Sequence, residues 1–201
     1  MIGFDLDGTL IDSSASIKRA MSLAYTNVTH EFLDVGCVVP GAPLQHMLLG
    51  LDLSREKRLL VMDEFKKLYD GGICHDAKVY DGIIDALIFL AGQTELYIVT
   101  NKRKKIAESI LDRLSLRAFF KAVEGQSEGK YQPKEAILLR TLSRLGVSGG
   151  VYIGDTQGDV EAARALELTP IFCSWGYSDS AYKPPCRVIS SPADLTSVLG
   201  K

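Results

Sequence analysis

The feature that most constrains this chain is a rhythm in which short apolar runs alternate with longer amphipathic segments. The runs are Gly3–Leu6, Glu95–Thr100, Ala122–Glu124, Val151–Gly154, Pro170–Cys173 and Arg187–Ile189. Segments at Lys104–Ser115, Pro133–Leu145, Gly158–Leu166 and Pro192–Leu199 separate most of them. Apolar runs of that length read as strands buried on both faces, and the intervening helical spacing reads as crossovers. The alternation predicts an α/β fold, a parallel sheet with helices on both faces. A chain of 201 residues with 46% hydrophobic and 24% charged side chains can bury such a core.

Residues 13–78 break the rhythm. They carry helical stripes but no convincing buried strand. Ser14 to Tyr25 places Ile17, Ala20, Met21 and Ala24 on one face, and Glu56 to Tyr69 places Leu59, Met62, Phe65 and Tyr69. Both stripes are expected in a core. Pro40-Gly41-Ala42-Pro43 is a turn-rich break between them. The chain therefore reads as a core formed by 1–12 and 79–201, interrupted by an all-helical insert at 13–78.

The chemistry begins at the end of the first run, in Phe4-Asp5-Leu6-Asp7-Gly8-Thr9-Leu10. Asp5 and Asp7 are spaced i, i+2, so both can point the same way as the strand gives out. Gly8 permits the sharp turn that follows. Two acids at the carboxyl end of a buried strand suit a hard divalent cation and phosphoryl chemistry. A calcium loop needs glycine sixth and glutamate twelfth, whereas here glycine is fourth from Asp5. A plain solvated turn is the other ordinary reading of the tetrad. Asp155 also ends an apolar run, so it can reach the same crevice above the sheet. Asp159, four residues on, falls near a helix start, where an acid suits the helix dipole.

Phe4-Asp-Leu-Asp-Gly-Thr-Leu10 resembles the first motif of the haloacid dehalogenase-like hydrolases, in the form carried by their phosphatases and phosphomutases. The resemblance continues through Val99-Thr-Asn-Lys102, Lys130-Tyr-Gln-Pro133 and Ile153-Gly-Asp-Thr-Gln-Gly-Asp159. Trp175-Gly-Tyr177 resembles the tail of the phosphoglycolate phosphatase-like branch. The motifs stand in the family's order and span nearly the whole chain. The resemblance implies a Rossmann-like core, with 13–78 as the small helical cap inserted after the first motif.

By the same resemblance, Asp5 is the nucleophile that forms an aspartyl-phosphate, and Asp7 protonates the leaving oxygen and then deprotonates water. Mg²⁺ is the implied cofactor, held by Asp5, Asp155 and the Asp7 carbonyl, with Asp159 behind them. Thr100 and Asn101 are implied to contact the phosphoryl oxygens, and backbone N–H groups around Leu6 and Gly8 to add donors. The family's lysine falls on Lys130, although the usual Lys-Pro-x-Pro keeps only its second proline here. Lys134, just past Pro133 at a helix start, is expected to be solvated. Lys18, Gly41 and Gln45 are candidate cap contacts to the leaving group. Cap closure is expected about hinges near Asp12–Ser14 and Val79–Gly82.

The second acid, Asp7, favours hydrolysis or phosphoryl transfer, because the family's dehalogenases lack it. The leading expectation is a phosphatase acting on a small phosphorylated metabolite, with phosphoglycolate first. A β-phosphoglucomutase-like isomerase, a phosphonatase-like hydrolase using a cap lysine such as Lys18, Lys57, Lys66 or Lys67, and a non-catalytic binding module are the alternatives. A formal charge of −2 offers no field for nucleic acid or an anionic membrane. The basic run Lys102-Arg103-Lys104-Lys105 reads as a solvated helix start. His30, His46 and His75 lack partners at metal-ligand spacing. The cysteines at 37, 74, 173 and 186 show no paired spacing, as in a reducing cytosol. With a strand at the very start and no membrane-length apolar run, a cytoplasmic protein is expected.

Overall fold

The computed structural model describes residues 1–128 and 131–198. The chain divides into two compact units, Met1–Asp12 with Val79–Lys201, and Ser13–Lys78.

The first unit is built on a six-stranded sheet. Its strands are β1 (Ile2–Phe4), β4 (Leu96–Arg103), β5 (Phe120–Gln126), β6 (Val151–Gly154), β7 (Thr169–Cys173) and β8 (Arg187–Ile189), in the order β5-β4-β1-β6-β7-β8. The neighbouring pairs run parallel, with Phe4 beside Ile98 on one side and Ile153 on the other. Short strands β2 (Ile11–Asp12) and β3 (Lys78–Val79) form a separate two-stranded ribbon. All three β1 residues are buried, as a strand covered on both faces requires.

Helices α4 (Ile83–Ala91), α5 (Lys104–Arg113), α6 (Lys134–Leu145) and α7 (Gln157–Ala165) follow the strand rhythm. Ile137, Leu138 and Leu142 of α6 and Ala162 and Ala163 of α7 pack with Tyr97, Val99, Ala122 and Tyr152 of the sheet. The terminal segment Pro192–Ser197 is a 3₁₀ turn rather than an α-helix, capped by Ser191 and Asp194. Leu199 lies outside the described residues.

Helix α4 was not expected. Ile83-Ile-Asp-Ala-Leu-Ile-Phe-Leu-Ala91 is apolar almost all round, so its sequence has no clear helical stripe. Only tertiary packing separates its faces. Ile83, Ala86, Leu87 and Leu90 are buried, while Ile84, Ile88 and Phe89 are exposed.

The second unit contains α1 (Ser14–Thr29), α2 (Leu44–Met47), α3 (Arg55–Asp70) and 3₁₀ turns at Val35–Cys37 and Ile73–Asp76. Helix α1 buries the expected Ile17, Ala20, Met21 and Ala24. The stripe of α3 is rotated from expectation. Val61, Phe65 and Tyr69, spaced i, i+4, i+8, are buried and the last two rings stack at 5.2 Å, whereas Leu59 is exposed. Ser54 caps this helix by accepting from the Lys57 N–H. Among the described residues no helix is long and apolar enough to cross a membrane.

Candidate active site

Strand β1 lies between β4 and β6, so the carboxyl ends of these central strands open on one crevice, where ligands of open α/β sheets bind. Asp5 and Asp7 follow β1, Thr100 to Lys102 lie late in β4, and Asp155 follows β6. Asp159 comes in from the first turn of α7. The structure brings Asp5, Asp155 and Asp159 together, all buried, with one carboxylate oxygen of each within 4.8 Å of the others.

The lysine beside them is Lys134, not a solvated residue as expected. Its Nζ lies 2.8 Å from Asp5 Oδ1 and also pairs with Asp159 Oδ1, and its side chain is 7% exposed. The physical reason is the geometry of α6, which starts at Lys134 with Pro133 as its N-cap. Side chains on a helix lean toward its N-terminus, here the end nearest the acids. The helix dipole disfavours a cation in the first turn, but two buried carboxylates outweigh that modest term. That unfavourable position was itself a legible signal. Lys130 lies outside the described residues.

Burial is the largest influence on Asp5 and pushes it up to about 7; Lys134 opposes this and Asp159 adds to it. Asp155 is raised as well, chiefly by burial and then by Asp159 and Asp5, while the Tyr177 N–H pulls the other way. Burial works against the charge of Lys134, but Asp159 and Asp5 outweigh it and hold the ammonium protonated. Three buried acids against one ammonium leave an excess of negative charge that a divalent cation would offset. Asp5 Oδ1 is paired with the Lys134 ammonium at 2.8 Å, and the three converging carboxylates leave further oxygens to hold a cation. The all-oxygen donor set of Asp5, Asp155 and Asp159 fits Mg²⁺.

Asp155 is held from several sides. Thr9 Oγ1 donates to its Oδ1 at 3.1 Å, and the Tyr177 N–H donates to its Oδ2 at 2.7 Å. Trp175 Nε1 donates to the Thr9 carbonyl and the Tyr177 hydroxyl donates to Asp12, tying the 175–177 loop to the first motif. Gly8, at φ +83°, and Gly176 press so close that a Cβ on either would overlap the Asp155 carboxylate. Asp159 is both a member of the acidic cluster and the N3 residue of a capping box, its Oδ2 accepting from the Thr156 N–H at 3.0 Å.

Asp7 faces a second buried lysine, Lys102, whose Nζ is 3.2 Å from Asp7 Oδ1, with side chains 7% and 9% exposed. This corrects the reading of Lys102 as part of a solvated basic run: β4 loses its regular register between Val99 and Arg103, and there the Lys102 side chain turns to Asp7. Thr100 is buried, and its Oγ1 accepts from the Lys102 N–H. Asn101 Oδ1 is buried without a hydrogen-bond partner. The Gly8 N–H donates to the Ile11 carbonyl at 2.8 Å, within the turn that follows Asp7. Leu6 is buried, and its carbonyl accepts from Leu10.

Gly41 and Gln45 belong to the second unit; Gly41 takes φ +83° in the turn before α2, and Gln45 is exposed. Thr9, Lys102, Lys134 and Tyr177 are the site residues that pattern reading passed over or misjudged. Lys134 carried a signal, its place at a helix start, whereas Lys102 lies where β4 departs from regular pairing.

With the acids, the lysines and the switch-point crevice in place, the chain defines a hydrolase of known type. The family model for haloacid dehalogenase-like hydrolases matches residues 2–172, and the chain belongs to that family. Within it the chain falls in the phosphoglycolate phosphatase-like branch, among phosphatase enzymes. The phosphoglycolate phosphatase of Aquifex aeolicus is 29% identical over 205 residues, covering 99% of this chain and 96% of its own length. That of Agrobacterium fabrum is 29% identical, covering 98% of this chain and 90% of its own length. A solved haloacid dehalogenase-like family protein from Streptococcus pneumoniae superposes with a TM-score of 0.89 at 25% identity, over 98% of this chain and 96% of that one.

Proposed function

We propose that this chain is a Mg²⁺-dependent phosphatase that hydrolyses a small phosphomonoester through an aspartyl-phosphate on Asp5, with phosphoglycolate as the first substrate to test. One observation carries the reading: Asp5 is buried at the end of the central strand, beside Lys134, with Asp155 and Asp159 converging on it. The names of the full-length relatives support the choice of substrate.

Phosphomonoesters resist hydrolysis because their anionic oxygens repel a nucleophile, so charge must be neutralised and the attacking group held in line. Lys134 supplies fixed positive charge beside Asp5. Thr100 and the Asn101 amide would donate to phosphoryl oxygens. Mg²⁺, held by Asp5 and Asp155 with Asp159 behind them, would offset the remaining negative charge. An Asp5 carboxylate oxygen forms a bond to phosphorus as the ester P–O bond breaks, and Asp7 gives its proton to the departing oxygen. Asp7, now a carboxylate, takes a proton from water as that water's oxygen bonds to phosphorus. The acyl-phosphate P–O bond breaks, and inorganic phosphate and free Asp5 result.

The test is phosphate release across a panel of phosphomonoesters, with Mg²⁺ or a chelator, for the wild type and Asp5→Asn. Metal-dependent release that Asp5→Asn abolishes is the expected result. Release that survives in Asp5→Asn overturns the aspartyl-phosphate, and no release from any ester overturns the phosphatase.

A further inference from the structure

Both oxygens of the Asp155 carboxylate are held by groups that lead back to one point of the chain. Thr9 Oγ1 donates to Oδ1, and the Tyr177 N–H donates to Oδ2. From Thr9 the backbone runs through Leu10 and Ile11 to Asp12, whose Oδ1 accepts from the Tyr177 hydroxyl at 3.1 Å. The circuit is closed, from Asp155 through Thr9, Asp12 and Tyr177 back to Asp155. Asp12 is also the last residue of this unit before the chain leaves for residues 13–78, and Val79 is where it returns. We infer that Tyr177 is a positioning residue for the metal site: its hydroxyl fixes where its N–H holds Asp155, so a displacement of the linkers at 12–14 or 79–82 changes Mg²⁺ affinity.

The inference rests on the Mg²⁺ site proposed above, and the stiffness of the circuit carries it. Leu10 and Ile11 are fully buried, and their N–H groups both donate to the Leu6 carbonyl. Asp12 is therefore fixed relative to Thr9. The returning linker joins the same point, since the Tyr80 N–H donates to the Leu10 carbonyl at 3.2 Å and the Tyr80 side chain is hydrogen-bonded to Tyr177. On the opposite side there is no slack either. Trp175 Nε1 donates to the Thr9 carbonyl, and Gly176 lies so close to the Asp155 carboxylate that a Cβ there would overlap it. A shift of the Tyr177 ring thus reaches Asp155 through backbone already in contact with it.

Groups that support a metal-binding carboxylate commonly change metal affinity 10- to 100-fold when lost. The Tyr177 hydroxyl stands one step further out, and Asp12 is exposed, so water competes for this bond and a smaller effect is expected. The bland alternative is a bond that only stabilises the fold. The two roles separate by readout: a purely structural bond lowers the melting point of the metal-free protein and leaves the Mg²⁺ affinity of the folded protein unchanged. Tyr177 and Asp12 take part in other interactions as well, so one substitution does not isolate their shared bond, whereas a double-mutant cycle does.

The experiment measures the Mg²⁺ Kd by isothermal calorimetry for wild type, Tyr177→Phe, Asp12→Ala and the double variant. Tyr177→Phe keeps the ring and the N–H and removes only the hydroxyl. Each single variant is expected to raise Kd about 3- to 10-fold, and the double variant to raise it no further than the weaker-binding single one. Linkage runs both ways, so Mg²⁺ is also expected to slow amide hydrogen exchange at 12–14 and 79–82 in the wild type, and less so in Tyr177→Phe. An unchanged Kd in Tyr177→Phe, or losses that simply add in the double variant, overturn the inference. Where Tyr177→Phe does not fold, the wild-type exchange decides, because linkers exchanging equally with and without Mg²⁺ overturn it. A wild type that binds no Mg²⁺ overturns the metal reading and this inference with it, whereas Mg²⁺ binding without phosphate release overturns the phosphatase alone.

Discussion

Lys134 and Asp5 meet at 2.8 Å as an ion pair, both side chains nearly sealed from solvent. The ammonium also contacts Asp159, so one cation from the start of α6 joins the strand that ends at Asp5 to the helix that closes the acidic cluster. A pair of this kind is costly to break because the partner left behind is a buried, uncompensated charge.

Lys134→Met is therefore expected to abolish phosphate release and to destabilise the metal-free fold by about 3–5 kcal/mol. Urea unfolding with and without Mg²⁺, alongside phosphate release, checks both. Lys130→Met, the substitution the motif alone suggests, is expected to cost much less activity than Lys134→Met. The reverse order would return the catalytic lysine to Lys130.

The acidic cluster gives stability a pH dependence whose sign is set by Asp5. Its folded value of about 7, raised from 3.8 mainly by burial, means the folded chain holds this proton more tightly than the unfolded chain. That contribution is complete below the unfolded value and drains away as pH rises from about 4 through about 7. The metal-free thermal midpoint is expected to fall between about pH 5 and about pH 7.5. Mg²⁺ is expected to raise the midpoint more at the higher pH, where the acids are ionised. Scanning calorimetry with Mg²⁺ or chelator tests this, and a metal-free midpoint that rises over this window contradicts it.

Gly176 lies beside the Asp155 carboxylate on the 175–177 loop, with no room there for a Cβ. Gly176→Ala would place a Cβ in contact with that carboxylate and displace either the loop, with its Tyr177 N–H, or the acid itself. The expected effect is a 10- to 100-fold rise in the Mg²⁺ concentration needed for half-maximal activity, about the scale seen when a ligand loses its supporting partner. A Mg²⁺ titration unchanged from wild type would show that the loop does not position Asp155.

Gln126 holds the approach to α6. Its Nε2 donates to the Gln132 carbonyl at 2.7 Å and its Oε1 accepts from the Gln132 N–H at 2.9 Å, two residues ahead of Lys134. Gln126→Ala leaves both backbone groups without this partner and is expected to cost about 1–3 kcal/mol of stability. Activity is expected to fall with it, since the start of α6 sets where Lys134 points. Chemical denaturation paired with kcat measures the two effects separately. A stability loss with kcat intact would restrict Gln126 to a structural role.

Much of this protein could be read from its residues because the relevant signals are local. Short apolar runs ending in Asp5, Thr100 and Asp155 specify buried parallel strands, and such strands bring their carboxyl ends to one side of a sheet. The same runs, taken in order, carry the family resemblance. Where local signal was absent, reading stopped. Ile83–Ala91 is apolar on every side, so nothing in its sequence separates helix from strand, and only packing exposes Ile84 and Ile88 while burying Leu87. In α3 the stripe through Leu59 and the stripe through Val61 are both apolar, and the contact with α1 chose between them.

The lysines mark the same boundary more sharply. By itself the sequence determined that acids end the central strands and that a lysine lies near Pro133, since strand alternation and helix starts depend on neighbours a few residues away. Which lysine reaches Asp5, and that Lys102 turns inward to Asp7, was decided by tertiary structure. A cation's place depends on the Coulomb energy and burial of groups far along the chain, here Asp5 and Asp159 for Lys134 and Asp7 for Lys102, and that sum exists only once the sheet has brought them together.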